Sequence, residues 1–319
     1  VKKLSIKDSK LNPKHKTSIG GQALIEGIMM KGPNKMSIAV RKPDDEIQLK
    51  VDDLNTLEMR YKVFGIPFIR GVVKLIEAMV TGTKALTYSA EFYEEEEVEN
   101  KGKSWTEKLF KDKAEDIEMF FTVLVSIILS FGIFMLIPSF LTNIFKNKID
   151  NHIVLNLVEG LIRVAIFLIY VIWISKIDDI KRVFEYHGAE HKSIHCYENE
   201  EELTVENVKK YPILHGRCGT SFLFMVMIVS IFVLSFFGWP NPIQRILIRL
   251  MMFPVIAGIS YEINRIIGRS NSKFCYALSY PGLMIQKLAT VREPDDEQIE
   301  VAIEALKVVI PDNREEDKW

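Results

Sequence analysis

The chain has 319 residues, 48% of them hydrophobic, and a formal net charge of -1. That length allows two domains, and the balance of acids against lysine and arginine along the chain excludes the basic footprint of a nucleic-acid binder. Three cysteines, Cys196, Cys218 and Cys275, are too few and odd in number for a disulfide framework.

The opening "VKKLSIKDSKLNPKHK" is basic and lacks the apolar core of a signal peptide, so residues 1–16 are expected to be a disordered basic N-terminus. Residues 17–90 read as a cytoplasmic β-rich unit followed by an amphipathic helix. "ALIEGIMM" is short and apolar, while "MSIAVRK" and "EIQLKVDDL" alternate apolar and polar around the turn signal "PDDE", which predicts a hairpin. The stretch 64–86 has apolar residues at helical spacing interrupted by Arg70, Lys74, Glu77 and Lys84. Its charge is too frequent for a span, so the helix is expected to lie on a membrane or on the protein. The glutamate run in "EFYEEEEVEN" opens a charged, solvated linker over 91–116.

Four stretches are long and apolar enough to cross a hydrocarbon core of about 30 Å. They run from Met119 to Leu141, Ile153 to Ser175, Gly219 to Phe237 and Ile243 to Ile267, giving transmembrane pairs within 117–175 and 219–267. The second carries Glu159 and Arg163 and the fourth carries Arg249 and Glu262. Ionisable groups at such depth face a protein interior or a cavity, either as a packing network or as the wall of a polar path. The segment before the first span and the loop 176–218 hold most of the nearby lysine and arginine. The loop between the first two spans has only Lys146 and Lys148, and "GWPNP" has none. Both termini and the 176–218 loop are therefore expected in the cytoplasm, in a multi-pass protein of the inner membrane. Residues 268–319 end in "REPDDEQIEVAIEALKVVI", an amphipathic helix with acids in its first turn. The fold class that follows is an α-helical integral membrane protein: four transmembrane helices carrying a mixed α/β cytoplasmic layer built from the N-terminal, central-loop and C-terminal segments.

The central loop holds the most specific pattern. "YHGAEHKSIH" places His187, His191 and His195 four residues apart, with Glu190 before the second. Residues four apart share a helix face, so either adjacent pair can hold one ion. All three cannot do so from a straight helix, since eight residues rise about 12 Å. Two ligands from this helix and at least one from elsewhere are expected. "LHGRCGTSF" supplies candidates in His215 and Cys218, at the mouth of the third span. "HGAEH" has the inverted zinc-peptidase spacing, with Glu190 as base, and zinc lowers the pKa of water towards neutrality. A mid-motif Gly188 weakens a helix by about 1 kcal/mol relative to alanine; a helix starting after it would favour 191 with 195. The alternative is solvated imidazoles that meet lipid phosphates when protonated. Neither a phosphate loop, a dinucleotide fingerprint, a serine elbow nor a zinc ribbon occurs in the sequence.

Four strings in order, "GGQALIEGIMMKGP" (20–33), "EYHGAEHKSIHCYE" (185–198), "HGRCGTSF" (215–222) and "REPDDEQIEVAIEAL" (292–306), resemble the bacterial YqhQ-type membrane proteins. The resemblance covers nearly the whole chain. It implies a metal-dependent enzyme of unstated substrate, and it singles out the glycine-rich first string, where Gln22 and Glu26 are the polar candidates. The site expected is a divalent metal, zinc by donor type, held from among His187, His191, His195, His215 and Cys218, with Glu190 or Glu26 as general base. The reaction expected is hydrolysis of a membrane-delivered substrate. A non-enzymatic membrane factor that binds another membrane protein or complex is the second reading, and a small transporter using Glu159, Arg163 and Arg249 is the third.

Overall fold

A computed structural model of the chain describes residues 13–94, 114–270 and 272–319. Most of the basic N-terminus and of the charged linker lie outside the described residues. Four strands, β1 (Gly20–Leu24), β2 (Gly27–Lys31), β3 (Lys35–Arg41) and β4 (Ile47–Asp53), form one antiparallel meander in the order β1-β2-β3-β4. The predicted hairpin is β3–β4, pairing Lys35 with Asp53 through Arg41 with Ile47. "ALIEGIMM" itself turns back: Leu24 pairs with Gly27, and Glu26 takes φ +47 in the turn. A left-handed non-glycine residue costs roughly 1–2 kcal/mol. An ion pair with Arg182 and a hydrogen bond from Tyr186 Oη at 3.2 Å hold Glu26 there.

Both faces of the sheet are covered, so successive residues of β2 and of β3, Ser37 included, are buried and the alternation expected of β3 does not mark a solvent face. On one face Leu24, Met29, Ile38 and Val40 pack against Ala85, Tyr88 and Phe92 of α1 (Ile69–Glu94). The helix predicted over 64–86 begins five residues later, at Ile69, and runs eight residues further, because its last two turns carry the aromatic residues that close this layer. On the other face Ile19, Ile28, Met30 and Ala39 pack against α5 (Asp178–Glu198) and α9 (Asp296–Lys307) through Tyr186, Ala189, Ile299, Ala302, Ile303 and Leu306. A capping box between Asp295 and Gln298 starts α9. The C-terminal tail then returns to the N-terminal segment. There the fully buried Asp317 accepts hydrogen bonds from His15, Thr17 and Tyr197.

Among the described residues, three helical stretches are long and apolar enough to cross a membrane: Phe120–Asn143, His152–Ile174 and Pro242–Arg269. The first comprises α2 (Ala114–Phe131) and α3 (Ile137–Asn143), joined by a π-helical turn at Gly132–Leu136; the others are α4 and α7. They present Phe121, Ile127, Leu161, Ile169, Leu250 and Met251 outward. The third expected span is the shorter α6 (Gly219–Ser235), packed between α4 and α7. A helix that the sequence reading folded into the C-terminal segment, α8 (Lys273–Ile285), packs on α6 and ends in a second π-turn, Gln286–Thr290.

A candidate metal centre on helix α5

Helix α5 runs unbroken through Gly188, so the four-residue spacing of its histidines is realised in full. It tolerates glycine there because the chain crosses so closely: a Cβ on Gly188 would lie 2.0 Å from the Arg292 carbonyl oxygen. That crossing brings the end of the second π-turn onto the helix. The Nδ1–H of His187 donates to the Thr290 carbonyl at 2.8 Å. One turn on, the Nδ1–H of His191 donates to the Ile213 carbonyl at 2.6 Å. Both tautomers, assigned from these partners, leave an Nε2 lone pair. The His187 lone pair lies 3.2 Å from Cys218 Sγ. Ligand atoms of His187, His191 and Cys218 lie within 4.8 Å of one another. Backbone carbonyls that fix the remote nitrogen of an imidazole are the usual support of a metal-ligating histidine.

Cys218 is the N-cap of α6, accepting from the Thr220 N–H at 3.4 Å. Burial alone would raise its thiol. The adjoining His191 imidazole and the hydrogen bonds with the Thr220 N–H and hydroxyl outweigh burial and hold the thiol below its ordinary range. A thiol that readily gives up its proton, beside two imidazoles whose Nδ1–H groups are held by carbonyls, is a coherent donor set for a soft-to-borderline divalent cation. Burial holds His191 down to about 4, so it is neutral and available across the cellular pH range.

Glu190 lies on the same helix, three residues from His187. Burial pushes its carboxyl up to about 7, with His187 lowering it and Cys218 raising it further. Its Oε1 accepts the Gly21 N–H at 2.8 Å. A Cβ on Gly21 would meet the Met29 carbonyl at 2.5 Å and the Glu190 carboxyl carbon at 3.1 Å, so this close approach requires glycine. The glycine-rich string thus reaches the site through a backbone amide. Glu26 does not join it: its carboxylate is taken by Arg182 and Tyr186. Gln22 instead reaches Gly82 of α1.

The remaining two expected ligands form a separate group. His195, Glu198 and His215 bring ligand atoms within 4.8 Å of one another. The Nε2–H of His195 donates to the Leu214 carbonyl at 3.0 Å. Burial holds His195 down to about 3 and His215 well below its ordinary value. This group already contains a cation, because Arg217 is ion-paired with Glu198 and its backbone N–H reaches His215 Nδ1 at 3.3 Å. The rings of His191 and His215 lie 5.4 Å apart and link the two groups.

Three contributors were not singled out from sequence. Glu198 continues the row of His187, His191 and His195 one turn further, which its spacing of three from His195 would have indicated. Gln286 clamps the backbone of His215, accepting its N–H at 3.0 Å and donating to its carbonyl at 2.9 Å. Thr290 acts through its carbonyl, a role no side chain announces.

Residues 66–312 match the family described as "Protein of unknown function (DUF1385)". The "Uncharacterized protein YqhQ" of Bacillus subtilis (strain 168) is 36% identical over 305 residues, covering 93% of this chain and 94% of that protein. No solved structure matches. The chain belongs to the DUF1385 family.

Proposed function

We propose that this member of the family is a multi-pass inner-membrane protein with a divalent metal centre, zinc by donor type, on its cytoplasmic face. His187 Nε2, His191 Nε2 and Cys218 Sγ would hold the ion. The observation that carries this reading is the pair of carbonyls, Thr290 and Ile213, that fix both imidazoles with their free lone pairs toward the same sulfur. Three protein donors are the number found in catalytic zinc sites, which keep a position open for substrate or water. Bound there, the cation supplies Lewis acidity.

The chain's own residues supply the rest. Glu190, poised near neutrality by burial, takes a proton at its free carboxylate oxygen while the Gly21 N–H keeps the other oxygen fixed. Hydrolysis is the reaction class this pairing suits. Cys218 caps the apolar helix α6, so the centre lies at the end of the hydrophobic helices and suits a membrane-associated substrate. Four spans follow if α6, about 26 Å long at 17 residues, crosses within the bundle. Lysine and arginine in 176–218 favour the cytoplasm for the site, and for both termini.

Elemental analysis of the purified full chain tests the proposal. About one divalent metal per chain is expected, lost in His191→Ala and kept in His195→Ala. Metal-free protein, or a His191→Ala variant as loaded as the parent, overturns it. A second reading, a membrane factor docking another membrane protein, rests on α1, which exposes Ile76, Met79 and Val80. Stoichiometric co-purification of one partner with the His191→Ala variant favours that reading.

A further inference from the structure

At the far end of α6 from Cys218 lies a second buried charge cluster. Ser230, which meets it, is twelve residues along that helix, roughly 18 Å away. Glu159 of α4 is 1% exposed and faces three arginines: Arg163 of its own helix, and Arg245 and Arg249 of α7. Among the described residues no other carboxylate pairs with these three. Three guanidinium charges therefore face one carboxylate charge, an excess of two. They do so inside helices long and apolar enough to cross a membrane, where an uncompensated charge is costly.

The cluster is unevenly satisfied. Arg163 NH2 at 3.0 Å and Arg249 NH2 both donate to Glu159 Oε1. Arg163 Nε donates to the Phe134 carbonyl at 3.1 Å, within the π-turn, where the displaced backbone ladder leaves an acceptor. Arg245 is different. It is 7% exposed, its NH2 donates to Ser139 Oγ at 2.6 Å, and its guanidinium lies 4.1 Å over the Trp239 ring. Those contacts fix its position and leave its charge uncompensated. Its Nε and NH1 have no hydrogen-bond partner, and NH1 stands 3.9 Å from a Glu159 Oε2 that also has none. Arg245 is near the start of α7 beside a tryptophan, the place in the chain where an apolar helix meets a polar boundary.

We propose that Arg245, backed by Arg249 and Arg163, binds a phosphate group, an anion class that offsets the excess, in part as a phosphodiester or nearly in full as the free ion, and that guanidinium groups recognise readily. Phosphate reaches this place either as a phospholipid headgroup or as a free ion. The site is separate from the histidine centre and stands whether or not that centre holds a metal.

The test uses the full chain, delipidated in detergent, with apparent Tm as the readout. Inorganic phosphate, phosphatidylglycerol and diacylglycerol are titrated against chloride at equal ionic strength. A saturable rise with phosphatidylglycerol alone identifies a headgroup site, and a rise with inorganic phosphate identifies a site for the free ion. Diacylglycerol, which lacks phosphate, should give none. Arg245→Gln should weaken the apparent affinity by about ten- to hundredfold, the loss of one charge-assisted contact. Glu159→Gln should tighten it, since a competing carboxylate charge is removed. The proposal is overturned by no rise with either phosphate source, by an equal rise with diacylglycerol, by undiminished binding in Arg245→Gln, or by unchanged or weaker binding in Glu159→Gln.

Discussion

Replacing Gly188 by alanine sets two effects against each other, and the structure decides between them. In an isolated helix the change stabilises by about 1 kcal/mol. Here the new Cβ would lie 2.0 Å from the Arg292 carbonyl oxygen and 3.2 Å from Pro294 Cδ. The obstacle is backbone, itself tied to the helix by the Arg292 N–H to the Phe184 carbonyl at 2.9 Å. The segment must retreat by about 1.4 Å to reach an ordinary contact of 3.4 Å, an overpacking strain of about 3 kcal/mol at the upper end of the usual range. The net loss is then about 2 kcal/mol, or roughly 3 °C in apparent Tm for a chain this size. The same retreat draws the Thr290 carbonyl away from His187 Nδ1. Loss of such an outer hydrogen bond weakens metal affinity by about 10–100-fold. Thermal denaturation in detergent and a zinc competition titration measure the two effects. Gly216→Ala is the matched control, since a Cβ there meets nothing within 4 Å and should change neither quantity. A Gly188→Ala protein as stable as the parent, with unchanged zinc affinity, refutes the reasoning.

Three further outcomes follow from the same geometry. Because the Glu26 carboxylate is occupied by Arg182 and Tyr186, Glu26→Gln should leave metal content unchanged by elemental analysis, whereas Cys218→Ala should lower it severely. Asp317→Ala removes the shared acceptor of His15, Thr17 and Tyr197 and should destabilise by about 3–5 kcal/mol, read as a fall in apparent Tm. In metal-free protein, His191 and His195 are held at about 4 and about 3 against 6.5 when unfolded, and His215 is also lowered. Their contribution is complete above 6.5 and is lost as pH falls, because the unfolded chain takes up protons the folded chain refuses. Glu190 acts oppositely between 4.5 and about 7, where the folded chain holds its extra proton. Imidazoles outnumber that carboxyl, so stability should fall from pH 6.5 toward 4.5, by about 1.4 kcal/mol per pH unit for each net proton. A flat or rising apparent Tm on acidification contradicts this balance.

The helices were legible where the sequence carried a period or a long apolar run. The amphipathic C-terminal helix, three membrane-length helices and the β3–β4 hairpin are of that kind. What periodicity does not encode was missed. α8 follows α7 after a short break and contains Pro281, so it does not stand out from the C-terminal segment as a helix of its own. The pairing of β1 with β2 depends on a left-handed Glu26, a residue type that does not advertise that conformation. The histidine spacing and the nearby His215 and Cys218 were plain in the sequence. Their division into two groups was not, because it is set by the direction in which Ile213, Leu214 and Thr290 point their carbonyls. Glycine was misread in two ways. Gly188 looked like a helix start and is a crossing point, and Gly21 reaches the site where Glu26 was expected to.

The central claim is that one divalent ion is held by two imidazoles and one thiolate. Cobalt(II) substitution tests it directly, since a thiolate ligand gives a charge-transfer absorption that imidazole and carboxylate ligands do not. The wild-type chain should bind about one cobalt with that band, Cys218→Ser should lose the band, and His195→Ala should keep it. No cobalt binding, or a band unchanged in Cys218→Ser, would contradict the account.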